Sequence, residues 1–455
     1  MSHTTARAMP AGEQDTIVAL ATPEGRGALG IIRLSGPDAW AIAARATGSE
    51  DRFPSLPPRR VTLLPLLDRN AEPIDDAVVT PWRGPASYTG EDLVEFSCHG
   101  GREVLRAVVH RLTELGARPA QPGEFTQRAF LHGKMTLEQA EAVGALIEAR
   151  TEAAARAALR ALRGGLGGRI QATQDRLLEL LARIELGLDF VEEEIELEPA
   201  GTMAARAGEL AAEMEALHSQ HRAGRLLREG ARVVIAGAPN AGKSTLLNRL
   251  LGQERAIVSE APGTTRDYLD ASLDWGGLPV RLYDTAGLRK TADRVEAEGA
   301  RRTEELLAGA DAVLWLTAPP DWTLPPEELR GSDRMLVVEN KADLGVRAPV
   351  GTSPDIRISA LGGEGVEALR DEVARRLLAG YDPGELLLVE QRHADRLSEA
   401  AGALRRAETV LREGAGEELA AAEMRIAHNA LGEITGTVTR EGLLHEIFSR
   451  FCIGK

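Results

Sequence analysis

Gly237-Ala238-Pro239-Asn240-Ala241-Gly242-Lys243-Ser244 is the stretch whose reading decides the fold. It has the spacing of a phosphate-binding loop, two glycines flanking four residues and followed by Lys-Ser. The apolar run Val233-Val234-Ile235-Ala236 before it predicts a strand, and Ser244-Thr245-Leu246-Leu247-Asn248-Arg249-Leu250 after it predicts a helix. In that setting backbone N–H groups point inward at a phosphate, and the helix N-terminus adds partial positive charge. Lys243 is placed to reach the β- and γ-phosphates and Ser244 to hold Mg²⁺, with Asn240, Ala241, Gly242 and Thr245 around them. A nucleoside triphosphate is the ligand implied. The bland alternative is a Gly-rich turn that only joins a strand to a helix.

Motifs downstream argue for guanine. Asn340-Lys341-Ala342-Asp343 follows the strand-like Met335-Leu336-Val337-Val338, which places the Asp343 carboxylate to accept from the N1–H and exocyclic amine of guanine. Adenine lacks that donor pair, so the carboxylate would be left unpaired against it. Ser359-Ala360, after Ile356-Arg357-Ile358, supplies a second loop on the base side. Asp284-Thr285-Ala286-Gly287 ends the strand-like Val280-Arg281-Leu282-Tyr283; there an Asp reaches Mg²⁺ through water and Gly287 offers its N–H to the γ-phosphate. Between them, in Gly263-Thr264-Thr265-Arg266-Asp267, Thr265 is the natural second Mg²⁺ ligand. Each motif alone is weak, but the order and the strand ends make the set strong.

One part is missing. Leu288 follows Gly287, where Ras-like enzymes carry a water-orienting Gln. Asn240 offers a side-chain oxygen for a monovalent cation such as K⁺, with backbone carbonyls around Ser259, Ala261 and Thr264 completing its shell in place of an arginine finger. Glu296, in the segment 288–299, is the candidate catalytic residue that orients water. The local alternatives are a loop-stabilising hydrogen bond for Asn240 and a solvated helix position for Glu296.

Around this module the chain of 455 residues has room for two or three domains. From Thr16 to about Leu131 it reads as mixed strand and helix, with β-like runs at 16–20, 29–34, 60–66, 76–81 and 93–98 and a helix over 103–115. After Lys134 it reads as long helices, the last over 202–229, and helical sequence resumes at Glu385 with breaks at Gly414 and Gly436. The nucleotide module, ended by Tyr381-Asp382-Pro383-Gly384, thus interrupts a helical domain. The expected divisions are 1–133, 134–229, 230–382 and 383–455. The acidic run at Glu192, Glu193, Glu194, Glu196 and Glu198 reads as a solvated face rather than a metal site.

The net charge of -15 argues against a surface that grips nucleic acid everywhere; any such contact is a local basic patch or a partner's. Cys98 and Cys452 are too few for a disulfide framework or a zinc site. With no signal-like N-terminus and no membrane-length apolar run, a soluble cytoplasmic protein is expected.

The whole chain resembles the bacterial tRNA modification GTPase family known as MnmE or TrmE. The resemblance rests on Thr16-Ile17-Val18-Ala19, Gly25-Arg26-Gly27 with Gly30-Ile31-Ile32-Arg33, Tyr88-Thr89-Gly90-Glu91-Asp92, Gly123-Glu124-Phe125-Thr126 with Arg128-Ala129-Phe130, and Phe451-Cys452-Ile453-Gly454-Lys455. It implies a multidomain α/β and all-α fold: an N-terminal α+β domain that dimerises and binds 5-formyl- or 5,10-methylene-tetrahydrofolate, a helical domain, and an inserted Ras-like P-loop G domain. By motif position Arg33, Glu95, Lys134 and Lys455 would line the folate site; on local sequence alone Arg33 and Lys134 are ordinary surface charges. Cys452 would lie near it, reactive or merely packed. The resemblance also implies a larger assembly, a heterotetramer or more, with an FAD-dependent partner, MnmG. That complex acts on tRNA, adding an aminomethyl or carboxymethylaminomethyl group to carbon 5 of the wobble uridine. A ribosome-assembly or signalling GTPase without one-carbon chemistry is the competing class.

Overall fold

The computed structural model describes residues 15–189, 198–253, 272–284, 305–349, 354–383, 386–387, 389–438 and 442–454. Packing divides the chain into two units, Met1–Gly144 with Gly432–Lys455, and Ala145–Leu431.

In the first unit a six-stranded sheet is formed by β1 (Ile17–Leu20), β2 (Leu29–Ser35), β3 (Thr62–Leu67), β4 (Pro73–Trp82), β5 (Leu93–His99) and β6 (Arg118–Pro119), in the order β3-β4-β5-β2-β1-β6. All pairings but β1 with β6 are antiparallel. Such a sheet can wet one face, and β3 shows it: Leu64 and Leu66 point into the core while Leu63 is exposed. Helices α1 (Ala39–Ala46) and α2 (Arg102–Glu114) cover the inner face with Trp40, Ile42, Leu105, Val108 and Leu112. α3 (Glu124–Leu131) and α4 (Leu137–Glu148) follow. Phe130, Leu137 and Ala140 form a small core with Phe448 of the short helix Leu443–Phe448. This core holds the start of α4 and the C-terminal stretch to α3.

The second unit holds helices and an α/β module. α5 (Glu152–Leu162), α6 (Gly165–Asp189), α7 (Ala200–Ser219) and α8 (His221–Glu229) lead into β7 (Ala231–Gly237) and α9 (Lys243–Gln253). β8 (Ser272–Trp275), β9 (Leu278–Asp284), β10 (Ala312–Thr317), β11 (Met335–Glu339) and β12 (Ile356–Arg357) complete a sheet in the order β12-β11-β10-β7-β9-β8, parallel except for β8. The run Val233 to Ala236 is buried throughout, as a strand covered on both faces requires. Strand order reverses at β7: β9 is laid down on one side of it and β10 on the other, all three parallel. Ligands bind at the carboxyl ends of strands at such a point.

The module is closed by α10 (Val366–Leu377), and helices resume as α11 (Gln391–Glu413) and α12 (Glu417–Thr435). α7 packs on α11, Ala207, Leu210, Ala211 and Met214 facing a seam that includes Leu397, Ala400, Leu404 and Ala407, all buried. The helical domain is therefore built from both flanks of the inserted module. One expected element differs: the helix read over 202–229 is broken at Gln220. There His221 turns to bond the Val389 carbonyl (2.9 Å) and Gln391 (3.1 Å), tying the α7–α8 joint to the returning chain. Among the described residues no helix is long and apolar enough to cross a membrane.

Candidate functional site

The phosphate loop sits at the carboxyl end of β7. Gly242 has φ 92°, and a Cβ there would lie 2.3 Å from Asn340 Nδ2, so the close approach of the two loops needs glycine. Asn240 takes the left-handed conformation at φ 63°, which asparagine tolerates, and its side chain is exposed. Lys243 is largely buried and its ammonium donates to the carbonyls of Gly237 (3.0 Å) and Ala238 (2.7 Å), curled over the loop. Ser244 and Thr245 open the exposed first turn of α9, where helix N–H groups face outward. Ser244 Oγ donates to Asp284 Oδ2 at 3.1 Å. Two hard oxygen donors thus meet beside the loop, a donor set that suits Mg²⁺.

The base-side motifs converge on the same sheet edge. Asn340 is buried; its Nδ2 donates to the Ala241 carbonyl (2.8 Å) and its Oδ1 accepts from the Ala360 N–H (2.9 Å). Ser359 Oγ donates to Asp343 Oδ1 at 2.6 Å and accepts from the Gly362 N–H at 2.9 Å, which orients the exposed Asp343 carboxylate. Lys341, at φ 63°, reaches the Pro319 carbonyl at 3.3 Å. Sequence reasoning missed Arg249: from α9 its guanidinium donates to the carbonyls of Ala360 (3.1 Å) and Leu361, bracing the Ser359-Ala360 loop. Ser259, Ala261, Thr264, Thr265, Thr285, Ala286, Gly287 and Glu296 lie outside the described residues, as does most of the acidic run. Glu198 is described and pairs with Arg183 (3.0 Å) and Arg206 (3.1 Å).

In the N-terminal unit Arg33 and Glu95 face each other across β2 and β5, with Arg33 Nη2 to Glu95 Oε1 at 2.8 Å. The guanidinium lies over the rings of Tyr88 (5.2 Å) and Phe125 (5.6 Å). Lys134 donates to the Pro85 carbonyl at 2.8 Å, holding the loop that carries Tyr88. Lys455 lies outside the described residues, but the strip before it is anchored. Ile453 bridges Pro122, and a Cβ on Gly454 (φ 94°) would lie 2.3 Å from the Leu20 carbonyl. Cys452 is exposed, its carbonyl accepting from the Gly123 N–H at 3.4 Å. Cys98, by contrast, is buried and its thiol is pushed up to about 12, so it packs rather than reacts.

A buried ion network beside this site went unread in the sequence. Arg128, with a side chain 1% exposed, donates to Asp15 (2.9 Å), Glu124 (2.9 Å) and Glu91 (3.2 Å). Arg118 adds bonds to Asp15 and Glu124, each at 2.7 Å. Glu91 in turn accepts from Ser35 (2.8 Å), which shares a bond with Thr89 (2.7 Å). The Arg118 hydrogen bond holds the Asp15 carboxyl below its ordinary range. Burial pushes Glu124 up, but the bonds from Arg118, the Gln121 N–H and Arg128 outweigh it, so Glu124 is lowered as well. Glu124 and Arg128, four apart on α3, were the signal available.

A phosphate loop, an Asp beside its Ser, and an Asn-Lys-x-Asp loop bonded to the phosphate loop define a P-loop GTPase. The family profile of the MnmE helical domain matches residues 137–452, and that of the GTP-binding protein TrmE N-terminus matches residues 16–134. The chain is 46% identical to the tRNA modification GTPase MnmE of Thermus thermophilus, over 97% of this chain and 99% of that one. It is 45% identical to that of Myxococcus xanthus, with the same coverage, and 44% identical to that of Symbiobacterium thermophilum, over 97% of this chain and all of the relative. The chain belongs to the MnmE family.

Proposed function

We propose that this GTPase is stimulated by K⁺ and drives a tRNA-modifying cycle. With an FAD-dependent partner of the MnmG type it adds an aminomethyl or carboxymethylaminomethyl group to carbon 5 of the wobble uridine, using a folate one-carbon unit. The observation that carries the reading is the convergence of Lys243, Ser244, Asp284, Asn340 and Asp343 on one sheet edge.

Within the G domain, taken as 230–382, Lys243 binds the β- and γ-phosphates, and Ser244 and Thr265 hold Mg²⁺. Asn240, with the carbonyls of Ser259, Ala261 and Thr264, holds K⁺. These ions neutralise charge that develops on the phosphates. Glu296 orients the attacking water, the task left open by Leu288. Asp343 selects guanine.

Arg33 and Glu95 of the N-terminal domain, taken as 1–133, with Lys134 just after it and Lys455, the chain's last residue, line the folate site. The cations meet folate carboxylates and Glu95 accepts from pterin N–H groups. The Arg33–Glu95 pair supports this, since both groups are pre-positioned on rigid strands. Dimerisation through this domain, and the helical parts 134–229 and 383–455, complete the arrangement. The family relatives' role in tRNA modification supports the reading.

The test is reconstitution: the chain, the FAD-dependent partner, undermodified tRNA, GTP, K⁺ and methylene-tetrahydrofolate with an amine donor, read by mass spectrometry of the uridine. Modified uridine that disappears when any one component is omitted is expected. Modification that persists without this chain or without folate contradicts the proposal.

A further inference from the structure

The nucleotide motifs occupy the carboxyl ends of the parallel strands; the amino ends carry a different feature. A cavity of about 590 Å³ opens there, lined by Arg222 and Arg225 of α8, Arg232 of β7, Arg334 at the start of β11, and Asp311 and Asp333. Ala308, Gly309, Ala310 and Ser332 complete the lining. Four guanidinium groups meet two carboxylates, in a chain whose net charge is -15. Asp311 is already engaged, accepting from Arg225 (2.7 Å) and the Arg232 N–H (2.9 Å). Arg334 is held by the carbonyls of Ala308 (3.2 Å) and Ala310 (3.3 Å). The exposed side chains of Arg222 and Arg232 make no hydrogen bond or ion pair with any described residue.

We propose that this cavity is a docking site for the phosphodiester backbone of tRNA. The inference rests on the tRNA reading above and names the surface of this chain that would serve it. Guanidinium forks match phosphate geometry, and backbone contacts of this kind position a nucleic acid without reading bases. The lining favours nucleic acid over protein: it offers no aromatic or large apolar anchor, which the core of a protein interface needs. β7 separates the cavity from the phosphate loop by its seven residues, roughly 20 Å at strand rise. Docking here leaves the nucleotide pocket open.

The experiment uses the full chain and an unmodified tRNA transcript, with affinity measured by fluorescence anisotropy across a KCl series. For the double variant Arg222→Ala, Arg232→Ala, affinity at 0.1 M salt falls ~10-fold or more, and the slope of log affinity against log salt drops by about two, one per lost phosphate contact. GTP turnover without tRNA is unchanged, which shows that the variant is folded. Arg222→Lys, Arg232→Lys retains the slope. Equal affinity and slope for wild type and double variant overturn the site while leaving the tRNA reading intact. A wild type that does not bind tRNA at low salt, or that releases it to polyglutamate as readily as to polyphosphate, also overturns it. Loss of uridine modification in the reconstituted system, with tRNA binding kept, would instead count against the proposed function.

Discussion

The side-chain amide of Asn340 donates to the Ala241 carbonyl at 2.8 Å, joining the base-side loop to the phosphate loop. Its oxygen accepts from the Ala360 N–H at 2.9 Å, so one buried residue sets the spacing of three loops.

Asn340→Ala removes both bonds and strands a carbonyl and an N–H on residues that are themselves buried, Ala241 and Ala360. Each unpaired group costs about 1–3 kcal/mol. GTP affinity is expected to fall ~10-fold or more, one decade per 1.4 kcal/mol. Titration with a fluorescent guanine nucleotide checks this; unchanged affinity would show that the loops hold their spacing without Asn340.

Arg128 is the centre of the N-terminal ion network, and Arg128→Met leaves Glu91 and Glu124 without their buried partner. Removing one member of a buried pair costs about 3–5 kcal/mol. Hydrogen exchange localises the effect: amides of β1 and β2 lose protection, while those of β10 and β11 in the other unit do not. Loss spread equally over both units would mean that the network is not local.

The same network predicts an acid response. Asp15 and Glu124 have lowered pKa values in the folded protein, first through Arg118 for Asp15 and through Arg118, Gln121 and Arg128 against burial for Glu124. A lowered carboxylate contributes stability that is fully present above its unfolded value and is lost as pH falls through the folded value. Protection of β1 and β2 therefore holds at neutral pH and declines below the ordinary values of 3.8 and 4.5. Glu124→Gln flattens that decline; an unaltered acid profile would contradict the assignment.

Two substitutions separate binding from chemistry in the G domain. Glu296→Ala is expected to leave GTP binding nearly intact and to slow hydrolysis ~10²–10⁴-fold, the range for losing a proton-transfer or water-orienting group. Asn240→Ala weakens stimulation by K⁺ more than it weakens nucleotide binding. Parallel loss of binding and hydrolysis in Glu296→Ala would remove its role with water.

Much of this was legible in the sequence because it is local. Val233 to Ala236 reads as a strand and Ser244 to Leu250 as a helix, with the glycine-rich loop between them, and the structure has β7 and α9 there. Gly414 ends α11 in the left-handed conformation, as a helix-stopping glycine does. What went unread is non-local. No periodicity announces that Phe448 packs with Phe130 and Leu137, more than three hundred residues earlier, or that Asp15 joins Arg118 and Arg128. The break at Gln220 is likewise decided by Val389 and Gln391, and helix propensity alone would run through it. Arg33 and Glu95 were named by resemblance; their pairing follows from strand register, which local sequence does not specify.

Steady-state GTP hydrolysis by the purified chain, in K⁺ and in Na⁺ buffers of equal ionic strength, tests the central claim most directly. The account predicts strong stimulation by K⁺ that Asn240→Ala weakens. Equal rates in the two salts would contradict a cation in the place of an arginine finger and move the missing catalytic group to another protein.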